Sequence, residues 1–127
     1  MKTWVLNIFS EHFNRILKEG KEIEARVPDL DMPQKHYHKI KKGDILLLRL
    51  VDDNQDPVKN VEPLKYEVTF NTKYDTIENL LELEGLEKVM PGVNSIEAGA
   101  KQIYSLPGYR DRMQKNGVYA IGLRKKL

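Results

Sequence analysis

The sequence predicts an α+β fold: a small antiparallel or mixed β-barrel with peripheral helices. Three observations predict it. Short alternating or continuously apolar runs recur, as strands require. They are interrupted by segments whose apolar residues fall at helical spacing. The order read along the chain is strand, helix, strands, two helices, strand, which a small barrel with peripheral helices fits best.

Taken in order, Thr3 to Phe9 (TWVLNIF) is rich in aromatic and branched residues and reads as a strand. Trp4 and Phe9 are assigned to the core rather than to a ligand. Ser10 is the expected N-cap of a helix carrying Phe13, Ile16 and Leu17, and Gly20 ends it. Lys21 to Val27 alternates and reads as a strand stopped by Pro28. Residues 28–42 are polar, basic and irregular, with one helical turn. Gly43 turns the chain into GDILLLRLV, an apolar run suited to a strand buried on both sides. DDNQDP, from Asp52, is a turn or hairpin tip. Leu64, Tyr66, Val68 and Phe70 alternate with polar neighbours and give another strand. Asp75 or Thr76 caps a helix with Ile77, Leu80 and Leu81. MPG, Met90 to Gly92, breaks the chain. Asn94 or Ser95 caps a helix with Ile96, Ala100 and Ile103, ended by Pro107-Gly108. Gly117 to Leu123 is the last strand, and the LRKKL end is read as solvated.

At 127 residues the chain suits one domain, residues 1–127, and has room for its own core. Hydrophobic residues at 40% and charged residues at 31% make an ordinary globular balance. There is no cysteine, so disulfides and thiolate metal sites are excluded. The formal charge of +2 permits a nucleic-acid partner without demanding one. The N-terminal apolar run is broken too early for a signal peptide, and no run approaches the ~20 residues of a membrane span. A cytoplasmic protein with no membrane partner is expected. No phosphate loop, dinucleotide fingerprint, serine elbow or zinc signature is present, so no cofactor and no metal are expected. His36 and His38 lack an obvious third ligand.

The stretch EGKEIEAR, Glu19 to Arg26, carries the densest candidate chemistry. Strand residues two apart share a face, so Glu22, Glu24 and Arg26 point one way and Ile23, Ala25 and Val27 the other. Strict alternation puts Lys21 on the apolar side, and a turn or bulge is needed to bring it to Glu24. If the three meet in a cleft, Arg26 offers a planar fork for phosphate or carboxylate. Lys21 offers a point charge or a base. Glu24 can accept from an exocyclic amine or position a water. The plain alternative is a solvated face, with Glu24–Arg26 a surface pair worth ~0–1 kcal/mol.

These residues carry a resemblance. Gly20, Lys21, Glu24 and Arg26, followed by KKGD at Lys41 to Asp44, resemble the ASCH domain family of the PUA-like superfamily, whose signature is approximately Gly-x-Lys-x-x-Glu-x-Arg. Here one residue is missing between the glycine and the lysine. The segment from Tyr74 to Tyr104 and the closing GVYAIGL are similar to the family's two-helix region and last strand. The resemblance spans nearly the whole chain. It implies a PUA-like barrel and a cleft, floored by the motif, for RNA, a nucleotide or a modified nucleoside. Lys21, Glu24 and Arg26 would be ligand-binding. Some members resemble an amidohydrolase that deacetylates N4-acetylcytidine, so a small hydrolase acting on a modified nucleoside or on RNA is the alternative, with Lys21 and Glu24 catalytic. In that enzyme the lysine activates a threonine three residues later. Glu24 occupies that position here and has no hydroxyl for an acyl intermediate.

Two further segments are candidates. Gln34 to Lys42 interleaves basic and aromatic residues, as a phosphate-tracking loop or a solvated one. The expected loop from Pro107 to Gly117 carries Tyr109 and Arg110. Tyr109 either stacks on a base or packs the loop down, and Arg110 is placed to meet a phosphate.

Overall fold

The computed structural model describes residues 1–125; the last two residues of the LRKKL end lie outside them. Five strands, β1 (Thr3–Phe9), β2 (Ile23–Arg26), β3 (Ile45–Val51), β4 (Leu64–Tyr74) and β5 (Val118–Lys125), form one sheet. The strand order is β1-β3-β4-β5-β2. Only β1 and β3 run parallel; the other pairs are antiparallel. The sheet is mixed and curls into a half-barrel, leaving β1 and β2 as its two edges. Five helices complete the described chain: α1 (Ser10–Glu19), α2 (Ile77–Glu84), α3 (Leu86–Val89), α4 (Ile96–Tyr104) and α5 (Tyr109–Asn116). None is long and apolar enough to cross a membrane.

Two hydrophobic clusters hold this together. Inside the curl, Trp4, Leu6 and Ile8 of β1 meet Leu46 and Leu48 of β3, Val68, Ile121, and Phe13 and Ile16 of α1. The period-2 spacing in β1 and the i, i+3 spacing in α1 turn these residues to one side. Beyond β5 and β2, Ile23, Val118 and Ala120 meet Ile77, Leu80, Leu81, Ala100 and Ile103. Asp44 joins the start of β3 to β1, accepting from the Trp4 indole and the Lys2 amide at 3.0 Å each.

Two of the three expected N-caps form. Thr76 Oγ1 accepts from the Asn79 amide, and Ser95 Oγ from the Ala98 amide. Gly20 adopts φ 75°, a left-handed conformation that favours glycine, and ends α1.

Other expectations are corrected. Phe9 rather than Ser10 holds the N-cap position of α1, with no side-chain cap, because β1 runs directly into the helix. Phe9 is 38% exposed and borders a cleft instead of joining the core. Residues 28–42 contain two 3-10 turns, Pro33–Lys35 and Tyr37–Lys39. The stretch from Tyr109 to Asn116 is a helix, not a loop. Left-handed Gly108 breaks the chain after α4, and Met113 buries beneath α5. The extra helix α3 arises where Gly85, at φ 103°, re-aims the chain for one further turn.

Gly122 is held small by a bulge. The β4–β5 register slips between Val68 and Phe70, and this leaves Thr69 and the Phe70 ring against the Gly122 α-carbon. A Cβ there would collide with the Thr69 hydroxyl and the Phe70 ring. Gly122→Ala is expected to cost about 1–3 kcal/mol, read as a lower urea midpoint. An unchanged midpoint would show that the bulge yields.

Candidate functional site

The site lies where the curl of the sheet brings its two edges together. Arg26 on β2 donates through Nη2 to the Asn7 carbonyl on β1 at 2.8 Å. Neither strand has a sheet partner on that side, so one guanidinium links the two edges of the half-barrel.

Behind it lies a buried ion network. Lys21 Nζ meets Glu24 Oε1 at 3.0 Å, with the two side chains 2% and 5% exposed. Arg26 Nη2 meets Glu24 Oε2 at 2.9 Å. Lys21 reaches Glu24 without a bulge. It precedes β2, in the turn after Gly20, where its amide bonds the Arg15 carbonyl. That turn frees Lys21 from strand alternation and leaves Glu22 exposed, so Glu22 does not share the face of Glu24 and Arg26 as the spacing implied. The solvated-face alternative does not hold for Lys21 and Glu24.

Burial alone would raise the Glu24 pKa, but Lys21 and Arg26 outweigh it and hold the carboxyl well below the usual range. Glu24 is a fixed anion. His12, from α1, borders the same recess. Burial first, and then the Lys21 charge, lower its pKa from 6.5 to about 4, so the ring is neutral near pH 7. Sequence reasoning passed over His12. A single histidine on an amphipathic helix carries no signal until the fold sets it beside Lys21.

The recess, about 70 Å³, adjoins a larger cleft of about 610 Å³. Asn7, Phe9, Arg26, Leu106 and Tyr109 border both. The cleft adds Lys35, Arg49 and Arg112, with Asp53 as a counter-charge, and Tyr37. Arg49 lies opposite Asn7 in the β1–β3 register and grips its Oδ1 through Nε at 3.1 Å and Nη2 at 2.9 Å. The Arg26 guanidinium lies 5.4 Å from the centre of the Tyr37 ring, and Arg112 lies 4.9 Å from that of Tyr109. Arg112 also meets Asp29 at 3.4 Å.

Of the residues singled out in the sequence, Lys21, Glu24, Arg26 and Tyr109 come together. Arg110 does not. It stacks on Tyr104, 4.0 Å from the ring centre, in a separate open groove where Tyr104 donates to Glu78 at 2.6 Å. Adjacent helical positions point about 100° apart, so Tyr109 and Arg110 serve different surfaces. Within the basic 34–42 stretch, only Gln34, Lys35 and Tyr37 border the cleft. His38 packs near His36 and Tyr119 instead.

Fold and site together define a small α+β half-barrel protein with a basic, tyrosine-lined cleft over a buried Lys–Glu–Arg network. No family model matches the chain, and no curated protein matches it. Solved structures do, two of them at 30% identity. The crystal structure of hypothetical protein PH0355 superposes with a TM-score of 0.75 at 30% identity, over 99% of this chain and 100% of that one. The solution structure of protein PF0455 from Pyrococcus furiosus gives 0.66 at 30% identity, over 97% and 96%. The chain belongs to the same family as PH0355 and PF0455.

Proposed function

We propose that this protein is a cytoplasmic, PUA-like, ASCH-type module that binds RNA, a nucleotide or a modified nucleoside in the cleft above Lys21, Glu24 and Arg26. The observation that carries the reading is the cleft itself. Its volume, about 610 Å³, falls within the range of small-molecule sites. Arg26, Arg49, Arg112 and Lys35 suit phosphate, and Tyr37 and Tyr109 suit a base. The ASCH resemblance of Gly20 to Arg26 supports the same reading.

The geometry favours binding over hydrolysis by a Lys21–Glu24 acid–base pair. Two cations oppose any proton on Glu24 and make it a weak base. Deacylation of an acylated nucleoside, lost in Lys21→Ala, would restore the hydrolase alternative.

Binding should be salt-dependent, because phosphate contacts release counterions. Fluorescence anisotropy with short single-stranded RNA, and calorimetry with nucleoside monophosphates, test this at low and moderate salt. Arg26→Ala and Arg112→Ala are each expected to weaken binding by about tenfold or more. Arg112 is the cleaner probe, since Arg26 also links β1 to β2. No binding to any of these ligands at low salt would overturn the reading.

A further inference from the structure

The nucleotide reading, on which this inference rests, leaves the role of the inner recess open. At about 70 Å³ it has room for one or two small groups but not for a base ring, since water alone occupies about 30 Å³ of liquid. Whatever enters it is the tip of something held in the cleft.

Its polar lining is lopsided. Lys21 has three N–H donors and is 2% exposed, and Glu24 Oε1 is its one side-chain partner among the described residues. Two donors remain. Each Glu24 oxygen already accepts from a cation. His12 adds a further donor. Its Nδ1 lies 3.5 Å from Arg15 Nη1, and arginine only donates, so Nδ1 is assigned as the acceptor and the ring proton belongs on Nε2. The recess therefore holds spare N–H groups, while each carboxylate oxygen already accepts from a cation and keeps only its second lone pair.

We propose that the recess reads a keto oxygen at the tip of the base, so that the cleft selects keto-tipped bases, uracil and guanine, over amino-tipped ones, cytosine and adenine. A keto oxygen accepts from Lys21 and from His12. An amino group sets N–H against N–H and strips water from Lys21 without replacing it. Leaving such buried donors unpaired is the penalty by which hydrogen-bonding sites reject near-isosteres. The uridine–cytidine pair is the sharpest comparison, because the two rings share size, sugar and phosphate.

Calorimetric titration of the wild-type protein with the 5′-monophosphates of uridine, cytidine, guanosine and adenosine tests this. Uridine is expected to bind at least about tenfold tighter than cytidine, and guanosine than adenosine. In Lys21→Met the uridine–cytidine ratio should collapse towards one while phosphate-driven binding persists. Should that variant not fold, His12→Phe keeps the ring and removes a donor, and the ratio should fall. Equal binding of uridine and cytidine by wild-type protein, or a preference for cytidine, would overturn the inference and leave the nucleotide reading standing. Failure of all four to bind while single-stranded RNA binds would overturn the inference alone, and failure of RNA as well would overturn both.

Discussion

Glu24→Ala is expected to destabilise the protein by about 3–5 kcal/mol. The carboxylate is 5% exposed and neutralises Lys21, which is 2% exposed. With Glu24 removed, the Lys21 ammonium keeps its desolvation cost and loses its anion. Arg26 loses less, because it retains the Asn7 carbonyl. Urea denaturation should show a lower midpoint with little change in slope. The midpoint temperature should fall by roughly 10–20 °C for a domain of this size. Replacing both partners, Lys21→Met with Glu24→Leu, should recover much of the loss, because no charge is then left unpaired at the Lys21 end. An alanine variant within about 1 kcal/mol of wild type would mean that water reaches the pair.

Acidification should remove stability in two separate steps. His12 has a folded pKa of about 4 against 6.5 for the free side chain. The unfolded chain therefore binds the proton more readily between those values. The His12 contribution is whole above about pH 6.5 and is lost as the pH falls to about 4, by up to about 3 kcal/mol. Glu24 acts lower. Its folded pKa is depressed below the ordinary carboxylate range, so its contribution is whole above about pH 4.5 and is lost as the pH falls further. Urea midpoints measured across this range should slope twice. His12→Phe should flatten the upper slope and keep the lower one. An upper slope unchanged in that variant would show that another group titrates there.

Much of the fold was legible because it is written locally. The strand from Thr3 to Phe9 and the helical spacing of Phe13 and Ile16 held. Of the paired cap candidates, Thr76 and Ser95 serve. The failures share one physical cause. Phe9 looks like core by type but lies at the end of an edge strand, where the curled sheet opens into a cleft. Residues 109–116 look like a loop because Arg110, Asp111 and Arg112 mask the helix. Met113, buried among residues distant in sequence, anchors it, with Tyr109 packed against the same cluster.

The site divides the same way. Glu24 and Arg26 share a face because they are two residues apart on a strand, and that period is a property of the backbone. The sequence by itself determined that shared face and the α+β plan, and it put Lys21 and Tyr109 forward as candidates. Only the tertiary structure decided that Lys21 turns inward after Gly20, that Arg110 faces a different groove, and that His12, Asn7, Arg49 and Tyr37 join the site. These residues meet because the sheet curls until β1 and β2, its two edges, come within reach of a single arginine. That closure depends on contacts spanning most of the chain, which no local spacing encodes.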